Sequence, residues 1–150
     1  MIYIVSACLL GCGCRYDGKR KEIPLEIAEL QKHHTLIPVC PEILGGLPTP
    51  RPPAEIISGR VVNREGDDVT AEYRRGAEEV LRLARLYSAD GAILKDMSPS
   101  CGTNGIYDGS FARKRTDGVG ITASLLKSEG FSVFDEHGPC PDDVANAKKN

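Results

Sequence analysis

Three short apolar runs set the frame: residues 2–6 (Ile-Tyr-Ile-Val-Ser), 35–39 (Thr-Leu-Ile-Pro-Val) and 91–95 (Gly-Ala-Ile-Leu-Lys). Each is followed by a turn that carries a cysteine. Their β-branched and aromatic content predicts buried strands. Helical patterns lie between them. Pro24 suits a first turn and is followed by Ile27, Ala28 and Leu30, before the pattern ends at His33 and His34. Asp67-Asp68 precede a longer helix in which Tyr73, Ala77, Val80, Ala84 and Tyr87 recur at the helical period. Residues 119–129 read as a third helix stopped by Gly130, and residues 131–134 as a last strand. Strands alternating with helices predict an α/β, Rossmann-like three-layer fold with a largely parallel sheet, one domain over residues 1–150. Ligands of such sheets bind outside the carboxyl ends of the strands. Cys8, Cys40 and Cys101 would then share one rim.

The remaining segments read as connections. Pro38 argues for an edge position or a strand end. Residues 45–54, with Gly45-Gly46, Pro48, Pro50 and Pro52-Pro53, predict a stiff loop. Residues 56–63 predict a small hairpin around Ser58-Gly59, and residues 103–118 a long loop with the basic run Arg113-Lys114-Arg115.

Composition narrows the function classes. A net charge of −2 and 5% aromatic residues argue against a stand-alone nucleic-acid binder, which needs a basic groove and stacking platforms. No apolar run approaches the ~20 residues that cross a bilayer. The N-terminus lacks a basic n-region, so the expected location is the cytoplasm. The chain is long enough to build its own core, which makes disulfides a secondary reading of its 6 cysteines. Metal binding or thiol chemistry leads. Soft thiolates select zinc, copper(I) or iron–sulfur clusters. No Cys-x-x-Cys knuckle is present, and three separated thiolates suit an open site better than closed structural zinc. In a [4Fe-4S] cubane they would hold three irons and leave the fourth open, with zinc as the alternative. Cys12 and Cys14 read as neighbouring thiols without a ligand role, and Cys140 as incidental.

The motifs Ser6-Ala-Cys8-Leu-Leu-Gly11, Arg15-Tyr-Asp-Gly18, Pro38-Val-Cys40-Pro-Glu42, Gly46-Leu-Pro-Thr-Pro-Arg51-Pro-Pro-Ala-Glu55, Leu94-Lys95 and Ser98-Pro-Ser-Cys101-Gly102 closely resemble the bacterial family known as domain of unknown function 523. The resemblance continues through Ile106-Tyr-Asp-Gly109-Ser-Phe111 and Gly118-Val-Gly120-Ile-Thr-Ala-Ser-Leu-Leu126. Members are thiouracil desulfidases. They carry a [4Fe-4S] cluster held by three Cys and convert thiouracil to uracil and sulfide without net redox change. The resemblance implies Cys8, Cys40 and Cys101 as cluster ligands and Glu42 as the catalytic carboxylate. It implies a serine partner from Ser98 and Ser100, with Ser98 preferred.

Matched softness suggests the chemistry: an open iron binds a thiocarbonyl sulfur and polarises the C–S bond. Water attacks, and Glu42 takes its proton. The expected partners are a small thiolated pyrimidine and the assembly proteins that load the cluster. Arg51, Gly102 and Asn104 are candidate substrate contacts, Arg51 as a donor and the 102–105 turn as a backbone nest. Taken singly, Glu42 could merely cap a helix and the serines could be ordinary turn residues. His33, His34 and His137 read as structural. Two other functions stay open at this point: a cluster- or metal-binding sensor or sulfur-transfer module, and an accessory domain acting on thiolated tRNA bases.

Overall fold

A computed structural model describes residues 1–138. Cys140 lies outside the described residues. The chain opens with β1 (Ile2–Ser6), a 3-10 turn (Ala7–Leu10), α1 (Leu25–His33), β2 (Thr35–Val39) and α2 (Pro41–Leu44). The hairpin β3 (Ala54–Ile57) and β4 (Arg60–Asn63) follows, then α3 (Thr70–Leu86) and β5 (Gly91–Leu94). A two-residue pair, β6 (Ile106–Tyr107) and β7 (Arg115–Thr116), precedes α4 (Ile121–Ser128) and β8 (Ser132–Asp135).

The central sheet has the order β2-β1-β5-β8 and every pairing in it is parallel. β2 is an edge strand, which is where Pro38, lacking an N–H, is tolerated. Side-chain alternation sorts the residues onto two faces. Tyr3, Val5 and Ile93 pack with Ile27 and Leu30 of α1, whereas Ile4, Ala92 and Leu94 pack with Val80, Leu81 and Ala84 of α3 and Ala123 and Leu126 of α4. The sheet therefore lies between one helix and two, as the three-layer expectation requires. No helix among the described residues is long and apolar enough to cross a membrane.

The departures from the sequence reading are local. β5 ends at Leu94 because the Lys95 N–H goes to the Ser6 hydroxyl at 2.9 Å instead of a ladder partner. α4 begins at Ile121 and not at residue 119, because Gly120 is extended and lies against the Ser100 carbonyl. The stiff loop holds except at Ala54, which opens β3. The 103–118 loop carries the β6–β7 pair, and α2 was not foreseen.

Candidate active site

The sheet order locates the site. From β1 the chain crosses to β2 on one side, then returns to β5 on the other, so the switch point lies between β1 and β5. The crevice beyond their carboxyl ends is the expected ligand position. Cys8 follows β1, Cys101 follows β5, and Cys40 follows β2. All three follow the carboxyl ends of neighbouring parallel strands, on the predicted rim.

The turn under Cys101 is tightly built. The Ser6 hydroxyl donates to Cys101 Sγ at 3.3 Å, and the Ser100 hydroxyl to the same sulfur at 3.5 Å. Ser98 Oγ accepts the N–H groups of Ser100 and Cys101, both at 3.2 Å, and sits 2.9 Å from Ser100 Oγ. Ser100 is fully buried, while Ser98 is half-buried and the more reachable of the two. Gly102 is required by packing: a Cβ there would stand 2.5 Å from the Gly105 carbonyl oxygen. The Asn104 amide is spent on Asp135 at 3.0 Å. Both residues shape the turn beneath Cys101.

Cys40 immediately precedes α2, where Pro41 takes the first helical position. That turn of helix carries Glu42. Arg51 Nη2 donates to Glu42 Oε2 at 3.2 Å and to the Cys14 carbonyl at 2.8 Å. The Tyr73 hydroxyl donates to Glu42 Oε1. Arg51 is 8% exposed and Tyr73 1%, so the carboxylate is gripped from the interior. Sequence reasoning placed Tyr73 in the core of α3, which is correct, and missed its hydroxyl. The available signal was a tyrosine, not a phenylalanine, on a buried helix face, because a buried phenol needs a hydrogen-bond partner.

The thiols differ in how readily they ionise. Burial pushes the Cys8 thiol up to about 11, partly opposed by Lys95. Burial raises Cys101 to about 12 against the lowering by its two hydroxyl donors. A hydrogen bond from the Cys14 thiol moves Cys40 the other way, and raises Cys14. Cys14 is thus a buried neighbour of Cys40, whereas Cys12 is exposed. Burial and the charge of Glu42 hold Tyr73 protonated, which keeps it a donor. His137, read from sequence as structural, has the Asp96 and Glu136 carboxylates at 3.7 Å.

Among the described residues no three Cys, His, Asp or Glu side chains converge on one point as the ligands of a single metal ion would. A cubane does not ask for that, because its three thiolates bind three different irons. The donor set also fits: it is all soft sulfur, and hydroxyl donors already face Cys101 Sγ as outer-shell partners face a thiolate ligand.

The fold and site are those of a parallel α/β protein with a thiol after each of three neighbouring strands and a clamped carboxylate beside one of them. The sequence profile of the 2-thiouracil desulfurase family matches residues 3–138, and the chain belongs to that family. It is 42% identical to the uncharacterized protein YbbK of Bacillus subtilis (strain 168), the match covering 89% of this chain and 95% of that one. Among solved structures it resembles a [4Fe-4S]-dependent thiouracil desulfidase, TudS, with TM-score 0.88 and 44% identity over 98% of this chain and 97% of that chain.

Proposed function

We propose that the protein hydrolyses a thiolated pyrimidine, thiouracil and water giving uracil and hydrogen sulfide, at a [4Fe-4S] cluster held by Cys8, Cys40 and Cys101. The observation that carries this reading is the position of Glu42, two residues past Cys40 on α2, with both carboxylate oxygens held by Arg51 and Tyr73. A purely structural or sensing cluster has no use for a clamped carboxylate at that position. Family membership and the likeness to TudS support the same substrate class.

Bound there, the cluster supplies an open, soft Lewis-acidic iron position suited to a thiocarbonyl sulfur. The protein supplies the rest. The carboxylate of Glu42 takes a proton from the attacking water, a contribution of roughly 10²–10⁴-fold for a well-placed base. Ser98, the more reachable serine, hydrogen-bonds the pyrimidine or relays the proton. Ser100 and Ser6 hold Cys101 by their hydroxyls. Arg51 acts on Glu42, and Gly102 and Asn104 act through the turn they shape. Loading of the cluster falls to iron–sulfur assembly proteins and releases the thiol protons of Cys8 and Cys101.

The test is anaerobic reconstitution with iron quantification, followed by addition of 2-thiouracil and measurement of sulfide and uracil. Glu42→Ala should keep the absorbance near ~400 nm expected of thiolate-held iron–sulfur centres and lose sulfide release. Cys40→Ala should lose that absorbance. A fully loaded wild-type protein that releases no sulfide would defeat the enzymatic reading in favour of a sensor or sulfur-transfer module.

A further inference from the structure

Glu42 sits on a four-residue helix, too short to hold a side chain still by its own backbone hydrogen bonds. Its carboxylate is nevertheless gripped at both oxygens, by Arg51 from the proline-rich loop and by Tyr73 from α3. The ring of Tyr73 is sealed in the interior, where phenylalanine would fill the same space. A buried hydroxyl costs stability unless it is bonded, so its presence is explained by the acceptor it meets.

The backbone is built to make that meeting possible. A Cβ on Gly45 would lie 1.9 Å from the Glu72 carbonyl oxygen, and one on Gly76 would lie 1.8 Å from the Pro41 carbonyl oxygen. α2 and α3 therefore touch backbone to backbone, with Pro41 beside Glu42 on one side and Gly76 one turn beyond Tyr73 on the other. No residue larger than glycine permits this approach. It brings the phenol of α3 onto the carboxylate of α2.

We infer that Tyr73 is a positioning residue for Glu42: together with Arg51 it fixes the carboxylate in one orientation, with the unused acceptor positions turned to the reacting water. The inference rests on the desulfuration reading. A carboxylate offers about four lone-pair positions, and the two donors occupy one on each oxygen, so acceptor capacity remains. Without the phenol, the carboxylate pivots about its single remaining anchor at Arg51. A displacement of about 1 Å in a reacting group is enough to cost on the order of 100-fold in rate.

The experiment uses Tyr73→Phe, which keeps the ring and removes the oxygen. In cluster-loaded protein kcat should fall about 10–100-fold with KM within about twofold of wild type, since the lost interaction serves the transition state only. Iron content and cluster absorbance should match wild type. In a Glu42→Gln background the same change should have no further effect on kcat. The readout independent of turnover is the carboxyl carbon resonance of Glu42 in metal-free protein labelled with glutamate carrying carbon-13 at Cδ, identified by its loss in Glu42→Gln. That resonance should move in Tyr73→Phe. An unmoved resonance, a wild-type kcat, or an undiminished loss in the Glu42→Gln background overturns the inference. A loaded wild type that releases no sulfide from thiouracil defeats the substrate reading instead, and the resonance alone then decides the clamp.

Discussion

The Ser6 hydroxyl stands 3.3 Å from Cys101 Sγ, although the two residues are 95 positions apart in the chain. The same oxygen accepts the Lys95 N–H, so one side chain ties the end of β1 to the end of β5 and to the thiol that follows. Ser6→Ala leaves a backbone donor without a partner and strips a donor from the sulfur. The expected cost is about 1–3 kcal/mol, a fall in Tm of several degrees, read by thermal unfolding of the metal-free protein. In loaded protein the cluster absorbance should shift as well.

Cys12 is exposed and Cys8 is not, which separates two thiols of the same loop. Cys12→Ser should take up as much iron as wild type and release sulfide at the wild-type rate. Cys8→Ala and Cys101→Ala should each fail to retain the cluster. Iron per protein after anaerobic reconstitution decides the matter, and loss of iron in Cys12→Ser would reassign the first ligand.

The two serines of the Cys101 turn should part company. Ser98 is half-buried, whereas Ser100 is fully buried and donates to Cys101 Sγ. Ser98→Ala should lower kcat by about 10-fold or more while iron content holds. Ser100→Ala should chiefly weaken cluster retention, seen as faster loss of absorbance in air. Equal effects of the two on kcat, with the cluster intact, would reverse the preference for Ser98.

Gly76→Ala places a methyl against the Pro41 carbonyl with no flexible side chain to yield. Overpacking of a tight contact costs about 1–3 kcal/mol, and more where backbone must move. The variant should unfold at lower denaturant than wild type, and its residual turnover should fall with that of Tyr73→Phe, because both break the bond from the Tyr73 hydroxyl to Glu42.

Acid should act through Glu136. Burial alone would raise its carboxyl, but the Lys95 ammonium at 2.6 Å and the Asp96 N–H at 2.8 Å hold it below the ordinary value of 4.5. A carboxyl lowered by folding stabilises the protein at pH above 4.5, and that contribution is lost as the pH falls below it and then through the folded-state value. Glu136→Gln should be less stable than wild type at neutral pH, and the gap should close in acid. Denaturant midpoints across the acid range would show it, and a constant gap would refute it.

Periodicity carried most of the architecture. The strands, the long helix, the edge position of Pro38 and the shared rim of Cys8, Cys40 and Cys101 were legible because each follows from local pattern plus the order of elements. The single turn α2 was not, since four residues give too little periodicity to detect. The end of β5 was not, since it depends on a serine 89 positions away.

By itself, the sequence determined the alternation of strands and helices and the end of the sheet at which Cys8, Cys40 and Cys101 follow their strands. These properties reside in residue types and their local spacing. Only the tertiary structure decided that Glu42 is held by Arg51 and by Tyr73, which stand 9 and 31 positions away. Such contacts depend on how closely two backbones approach, and here a pair of facing glycines sets that distance.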